Sequence, residues 1–122
     1  MKLLIVDDSP AMRRVIARHL ERAGFPSEVT EAGDGAEALE LMASQRFDLV
    51  LSDVYMPRVG GMELLARLRD DPALAAVPVV IITTETSPAI LRQLREQGAR
   101  ACLSKPFTRE ALARAVEDAL SG

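Results

Sequence analysis

Short apolar runs alternate along the chain with longer segments in which apolar residues recur every three or four positions. Three of the runs are continuously apolar, as is typical of parallel strands that are covered on both faces. The pattern predicts five strands, at residues 2–6, 28–31, 48–52, 79–82 and 101–103. The helical period is carried by Met12, Val15, Ile16, His19 and Leu20, by Ala36, Leu39 and Met42, by Met62, Leu65 and Leu68, by Ile90, Leu91 and Leu94, and by Leu112, Val116, Ala119 and Leu120.

Residues that start or stop helices lie where this alternation requires them. Pro10 falls near the first turn of the first helix and Gly24 at its end. Ser87 precedes Pro88 at the start of the fourth helix, and Gly98 closes that helix. The alternation of strands and helices predicts an α/β fold with a parallel five-stranded sheet and right-handed crossovers.

The composition fits one globular domain and excludes several functional classes. With 122 residues and a net charge of −3, the chain is a poor candidate for direct binding to nucleic acid. No apolar run reaches the roughly 20 residues needed to span a bilayer, and the first run is too short for a signal peptide. The single cysteine, Cys102, excludes an intrachain disulfide and fits a reducing, cytoplasmic setting.

Polar and charged residues follow four of the five predicted strands. Asp7 and Asp8 follow the first strand, Asp53 the third and Thr83 the fourth, and Lys105 stands two residues after the fifth. Because the carboxyl ends of parallel strands meet at one edge of a sheet, we expect these side chains to converge there.

Such a cluster is suited to phosphoryl transfer. Carboxylates that are held close together repel one another unless a cation compensates, and Mg²⁺ prefers an open, oxygen-rich site. A carboxylate beside the cation can act as a nucleophile and form an aspartyl phosphate. Lys105 would neutralise charge, and the Thr83 hydroxyl would donate a hydrogen bond to a phosphoryl oxygen. These residue types alone leave open which carboxylate is the nucleophile.

Eight segments of the chain form an ordered set of motifs. They are LIVDDS at 4–9, MRR at 12–14, DGAEAL at 34–39, DLVLSDVYMP at 48–57, GMELL at 61–65, PVVIIT at 78–83, GA at 98–99 and KPF at 105–107. In this order and spacing they resemble the receiver domain of two-component response regulators, in particular the stand-alone receivers of chemotaxis, over residues 1–122. The resemblance implies a flavodoxin-like (βα)5 fold, a three-layer sandwich whose parallel sheet has the strand order 2-1-3-4-5.

The resemblance also implies roles for the acidic residues. Asp53 matches the phosphoacceptor, which takes its phosphoryl group from a histidine kinase. Asp8, Asp53 and the backbone carbonyl of Tyr55 match ligands of Mg²⁺, for which Mn²⁺ can substitute, and Asp7 acts through water or from outside the ligand set. Phosphorylation then switches a surface made of the fourth helix, fifth strand and fifth helix toward a downstream protein. The resemblance implies no enzyme and no direct contact with nucleic acid or a membrane.

Further residues near the cluster match the family pattern. Thr83, with Thr84 beside it, corresponds to the switch hydroxyl that moves toward the phosphoryl group. Lys105 corresponds to the lysine that pairs with that group. The peptide bond between Lys105 and Pro106 is expected to be cis, which is uncommon even before proline.

One position departs from the family pattern, and two others are positions that often affect the lifetime of the phosphoryl group in the family. Cys102 occupies a strand position where the family commonly has an aromatic residue, so switching must rely on the loop after the fourth strand. Its thiol is expected to be buried and inert. Tyr55 and Glu85 lie two residues after the phosphoacceptor and the switch threonine. Tyr55 would shield the phosphoryl group from water, whereas Glu85 would orient a water molecule or repel the group, so the phosphoryl lifetime stays open.

Three other functional classes compete with this interpretation. A flavin-binding protein of the same fold needs a phosphate loop rich in small residues after the first strand, where Asp7 and Asp8 would repel the phosphate. A phosphohydrolase of the haloacid dehalogenase type needs an Asp-x-Asp motif, and Tyr55 stands at its second Asp position. A phosphorylation-independent interaction module is the third alternative, because Cys102 departs from the switch pattern. His19 is expected to be packed or half-buried rather than a ligand.

Overall fold

Strands and helices alternate along the whole chain, as the hydrophobic pattern predicts. A computed structural model describes residues 1–25 and 28–121. The strands are β1 (Lys2–Val6), β2 (Glu28–Ala32), β3 (Leu49–Ser52), β4 (Val79–Thr83) and β5 (Ala101–Ser104). The helices are α1 (Pro10–Arg22), α2 (Gly35–Ser44), α3 (Gly61–Asp70), α4 (Pro88–Glu96) and α5 (Arg109–Ser121). Every predicted strand and helix is therefore confirmed, with small differences in length.

The strands form one parallel sheet in the order β2-β1-β3-β4-β5. Because neighbouring strands are parallel, each connection between them crosses over through a helix. The chain runs outward from β1 to β2 and then returns to the other side of β1 at β3. Ligands of open α/β sheets bind at the carboxyl edge near such a reversal. The predicted fold class and strand order are confirmed.

Both faces of the sheet are buried, which explains the continuous apolar runs. Alternate residues of β1 enter different cores: Leu4 and Val6 pack into one, and Leu3 and Ile5 pack into the other. The first core is covered by α2, α3 and α4, and the second by α1 and α5.

Within residues 1–25 and 28–121, no helix is long and apolar enough to cross a membrane.

Helix boundaries follow the capping residues. Ser9 and Ser87 precede α1 and α4, and each side chain accepts a hydrogen bond from the backbone N–H three residues later. Gly24 and Gly98 lie just beyond the ends of the same helices and adopt φ angles of 87° and 104°. The boundary signals in the sequence therefore act as predicted.

Backbone pairing carries several strands beyond their apolar runs. β4 ends at Thr83 and β5 at Ser104, because these two residues are still paired in the sheet. β2 likewise extends to Ala32. Asp48, in contrast, lies outside β3, and its carboxylate accepts a hydrogen bond from the backbone N–H of Lys2 at 2.7 Å. The extension of β4 places Thr83 at the carboxyl edge of the sheet itself.

The turn that follows β3 folds back tightly on the end of the strand. The backbone N–H of Gly61 donates to the carbonyl oxygen of Val54 at 2.8 Å. A Cβ atom at position 61 would lie 2.3 Å from the carbonyl oxygen of Asp53, which is too close for packed atoms. At Gly33 a Cβ would meet nothing nearer than 3.8 Å. Close approach of the backbone therefore requires glycine at 61 but not at 33.

We expect Gly61→Ala to lower the free energy of unfolding by about 2 kcal/mol, because the backbone around Asp53 must shift to admit the methyl group. Gly33→Ala serves as the control and should change the free energy of unfolding by less than about 1 kcal/mol. Urea denaturation of both variants measures the difference. Equal stabilities of the two variants would contradict the close approach.

Candidate functional site

Three carboxylates lie together at the carboxyl edge of the sheet. β1 and β3 are paired neighbours with Val6 opposite Ser52, and the backbone N–H of Asp53 donates to the carbonyl oxygen of Val6 at 3.0 Å. This pairing brings Asp53 beside Asp7 and Asp8, which follow β1. One carboxylate oxygen from each of the three residues lies within 4.8 Å of the others. The structure thus brings the acidic residues together where the strand ends predict.

The Lys105 ammonium lies between two of these carboxylates. Its Nζ is 2.9 Å from Oδ2 of Asp7 and 2.9 Å from Oδ2 of Asp53. The backbone N–H of Lys105 donates to the carbonyl oxygen of Thr83 at 2.9 Å, which ties the loop after β5 to the end of β4. The peptide bond between Lys105 and Pro106 is cis, as the family resemblance implies.

All three charged groups of this contact are largely buried. The exposed fraction of the side chain is 14% for Lys105, 14% for Asp53 and 3% for Asp7. Burial opposes the charge on Lys105, but hydrogen bonds to Asp53 and Asp7 outweigh it and raise the pKa of Lys105 above its ordinary value. Lys105 is therefore charged at neutral pH. Removing it would leave two buried carboxylates uncompensated.

The remaining carboxylate oxygens differ in their partners. Oδ1 of Asp7 accepts a hydrogen bond from the backbone N–H of Ser9 at 2.9 Å, and Oδ1 of Asp53 accepts one from Val54 at 2.6 Å. Asp8 is exposed and accepts no hydrogen bond from any residue that the structure describes. One lysine against three carboxylates leaves the cluster negatively charged, which favours a bound cation.

The donor set fits Mg²⁺. Hard divalent cations prefer carboxylate and carbonyl oxygens, and opposite ligands of octahedral Mg²⁺ stand about 4.2 Å apart. One carboxylate oxygen each from Asp7, Asp8 and Asp53 lies within 4.8 Å of the others, which is close to that separation. The backbone carbonyl of Tyr55 accepts no hydrogen bond within the described part of the chain, so its lone pairs are free for a ligand.

The two threonines at the predicted switch position differ in exposure. Thr83 is buried, whereas Thr84 is exposed. Oγ1 of Thr83 accepts a hydrogen bond from the backbone N–H of Glu85 at 3.1 Å, so the hydroxyl proton is available to another acceptor. Oε1 of Glu85 accepts a hydrogen bond from the backbone N–H of Ser87 at 3.2 Å. The Glu85 carboxylate therefore bonds within the loop that leads into α4.

Three further residues that the sequence analysis singled out differ in exposure. Cys102 is half-buried rather than fully buried, because β5 is an edge strand of the sheet. Burial raises the pKa of its thiol despite the nearby Arg95, which keeps the thiol protonated. The Tyr55 side chain is 58% exposed. His19 is half-buried near the end of α1, with its ring 6.0 Å from that of Phe107 in an edge-to-face contact, as a packed histidine should be.

Two arginines contact the loops around the site: Arg13 lies in one of the motifs that carry the family resemblance, whereas Arg58 lies in none of them. The Arg13 guanidinium donates to the backbone carbonyl of Asp7 and, at 2.7 Å, to the carboxylate of Glu31. Arg58 donates to both carboxylate oxygens of Asp34, at 2.7 and 3.1 Å. The position of Arg13 on the first turn of α1, just after Asp7 and Asp8, was enough to predict that its side chain lies near the site. No local sequence pattern indicated that Arg58 would pair with Asp34, which lies 24 residues away.

Comparison with known proteins gives concordant results. The family model of the response regulator receiver domain matches residues 3–117. The chain is 37% identical over 117 residues to the chemotaxis protein CheY of Pseudomonas aeruginosa, which covers 96% of this chain and 94% of that protein. It resembles the solved structure of the chemotaxis response regulator CheY4 of Vibrio cholerae with a TM-score of 0.88 and 38% identity over 98% of each chain. It also resembles the Mn²⁺-bound form of response regulator Rcp1, with a TM-score of 0.80 and 26% identity over 93% of this chain and 88% of that one.

The charge balance of the cluster predicts the effect of neutralising Asp8. Two like charges 4 to 5 Å apart in water-like surroundings repel by about 1 kcal/mol. We therefore expect Asp8→Asn to raise the free energy of unfolding by about 1 kcal/mol in EDTA and to reduce the stabilisation that Mg²⁺ gives the unchanged protein. Urea denaturation with and without Mg²⁺ measures both effects.

Glu28→Gln is the control, because Glu28 is an exposed carboxylate at the opposite end of the sheet. It should leave both quantities unchanged. A loss of stability on Asp8→Asn in EDTA, or an undiminished response to Mg²⁺, would contradict the electrostatic description of the cluster.

Proposed function

This chain belongs to the response regulator receiver domain family, and from that premise we propose that Asp53 accepts a phosphoryl group from a histidine kinase in the presence of Mg²⁺. One observation carries the proposal. The Asp53 carboxylate lies within 4.8 Å of those of Asp7 and Asp8 and pairs with Lys105 at 2.9 Å. A nucleophile, metal-binding carboxylates and a neutralising cation are thereby in one place. We assign residues 1–122 to one such domain.

Asp53 is the best placed of the three carboxylates to be the nucleophile. Asp7 is buried, which leaves a phosphodonor no approach to it, and Asp8 forms no ion pair with Lys105. The Asp53 side chain is more accessible than that of Asp7, at 14% against 3%, and it is paired with that lysine. A carboxylate oxygen of Asp53 attacks the phosphorus atom of the phosphohistidine. The new P–O bond forms as the P–N bond breaks, and the electron pair leaves with the imidazole.

Charge neutralisation is the main requirement of this transfer, because negative charge is spread over the phosphoryl oxygens. When bound, Mg²⁺ supplies positive charge next to those oxygens. Asp8, Asp53 and the Tyr55 carbonyl are the groups that hold it, with Asp7 acting through water. Lys105 loses part of its contact with Asp53 when that carboxylate becomes an acyl phosphate, and its ammonium then pairs with a phosphoryl oxygen.

Thr83 connects the site with an interaction surface. A move of its hydroxyl toward a phosphoryl oxygen breaks the 3.1 Å hydrogen bond from Glu85 and shifts residues 84–87, which lead into α4. We infer that this shift changes the surface formed by α4, β5 and α5, which then binds a downstream protein. Because Cys102 offers no aromatic ring to rotate, the transmission rests on this loop.

The proposed role is signalling rather than enzymatic. Its partners are a histidine kinase and a downstream protein that the residues do not identify, with no direct binding to nucleic acid or a membrane. The net charge of −3 and the single cysteine support this setting and a cytoplasmic location.

Incubation with acetyl phosphate and Mg²⁺, followed by intact-mass measurement, tests the proposal. We expect the unchanged protein to gain one phosphoryl group, and Asp53→Asn or a sample in EDTA to gain none. Asp48→Asn is the matched control, since it removes an exposed carboxylate at the other end of β3, and it should be phosphorylated normally. Absence of any gain in the unchanged protein would overturn the proposal and favour a phosphorylation-independent interaction module.

A further inference from the structure

Arg58 joins the loop after β3 to the start of α2. Its Nε donates to Oδ2 of Asp34 at 2.7 Å and one Nη donates to Oδ1 at 3.1 Å, so the contact is bidentate. The same carboxylate caps α2 by accepting a hydrogen bond from the backbone N–H of Glu37 at 2.9 Å. The Arg58 guanidinium and this backbone hydrogen bond hold the pKa of Asp34 below its ordinary value. Asp34 is therefore ionised at neutral pH.

The backbone makes the same connection one residue further on. The N–H of Gly35 donates to the carbonyl oxygen of Val59 at 2.8 Å. A Cβ at Gly35 would lie 2.6 Å from that oxygen, so the loop and the start of α2 touch backbone to backbone. Arg58 has a φ of 66°, a left-handed conformation that is uncommon for arginine, and this conformation accompanies the contact of its side chain with Asp34.

Tyr55 lies between two anchored parts of this loop. On one side, Val54 donates its N–H to Oδ1 of Asp53 at 2.6 Å and accepts a hydrogen bond from Gly61 at 2.8 Å. On the other side, Arg58 is held by its bidentate contact. Tyr55 makes no hydrogen bond with any residue in the described ranges, 1–25 and 28–121. The position of its carbonyl therefore depends on how firmly the two sides are held.

We propose that Arg58 is a positioning residue: through Asp34 it holds the loop after β3 so that the Tyr55 carbonyl is preorganised as a Mg²⁺ ligand. This inference rests on the proposed function, because it presupposes the metal site. Arg58 itself forms no ion pair with Asp7, Asp8 or Asp53, and its charged partner is Asp34. Its side chain is 63% exposed, and exposed ion pairs contribute little to overall stability. The Asp34–Arg58 pair therefore acts locally, on the loop that carries Tyr55.

Two variants remove the Asp34–Arg58 pair with little change to the backbone. Arg58→Asn removes the guanidinium but keeps a residue that tolerates positive φ. Asp34→Asn removes the charge but keeps an efficient N-cap for α2. The matched control is Arg67→Gln, which breaks the exposed ion pair between Arg67 and Glu63 within α3, at 2.6 Å.

The first measurement is Mg²⁺ affinity in the absence of a phosphodonor. The chain has one tyrosine and no tryptophan, so Tyr55 fluorescence reports a titration with Mg²⁺ from a single position. We expect each variant of the Asp34–Arg58 pair to raise the dissociation constant for Mg²⁺ about threefold, which is the largest effect that an exposed ion pair of ordinary strength supports. The double variant should be no weaker than either single variant, because both remove the same contact. Arg67→Gln should bind Mg²⁺ normally.

Two further measurements separate positioning from a general structural effect. With acetyl phosphate, the Mg²⁺ concentration for half-maximal phosphorylation should rise in Arg58→Asn, while the rate at saturating Mg²⁺ stays within about twofold. Without Mg²⁺, the backbone amide of Gly35 should exchange its hydrogen faster in Arg58→Asn, because the loop that accepts its hydrogen bond is released. The urea concentration at the midpoint of unfolding should stay close to that of the unchanged protein, because the ion pair is exposed.

The outcomes distinguish this inference from the proposed function. If the unchanged protein binds Mg²⁺ and Arg58→Asn binds it equally well, the positioning role is wrong and the proposed function stands. A loss of Mg²⁺ affinity in Arg58→Asn that Asp34→Asn does not reproduce also overturns the role of the pair. If the unchanged protein neither binds Mg²⁺ nor is phosphorylated, both are overturned.

Discussion

The Lys105 ammonium lies between two carboxylates that the sheet places side by side, and the site depends on this contact. β1 and β3 are neighbours, so Asp7 and Asp53 meet at their ends, and Nζ of Lys105 is 2.9 Å from each. Without this cation, two largely buried negative charges would face each other, at a cost that one small domain could hardly offset. With it, the cluster still keeps enough negative charge to attract a divalent cation.

The rest of the fold supports this arrangement because a buried sheet carries the loops in which the polar residues lie. The strands are buried on both faces, and the chemistry lies in the loops that follow them. Lys105 reaches the acidic residues from beyond β5, and its backbone bond to Thr83 joins that loop to β4. Charge at the cluster and position of the loop after β4 are thereby coupled through one residue. In the proposed function, this coupling links a covalent change at Asp53 to a change of the interaction surface.

Local features of the sequence predicted most of the fold and of the acidic site. Contacts between distant segments could not be predicted from those features. Apolar runs and carboxylates at strand ends are local, so the sheet and the convergence of Asp7 and Asp53 could be foreseen. The pair between Arg58 and Asp34 spans 24 residues and depends on a left-handed φ, which no hydrophobic pattern encodes. Cys102 is less buried than its apolar surroundings in the sequence indicate, because only the strand order makes β5 an edge.

The most direct test of the central claim is ¹⁹F NMR of beryllofluoride, a phosphoryl mimic, added to the protein with Mg²⁺. The account predicts a bound fluoride signal that requires both Mg²⁺ and Asp53, and that weakens when Lys105 is replaced by glutamine, since the ammonium pairs with the mimic. A bound signal that persists in Asp53→Asn, or that is indifferent to the loss of Lys105, would contradict a phosphoryl site built around this lysine and these carboxylates.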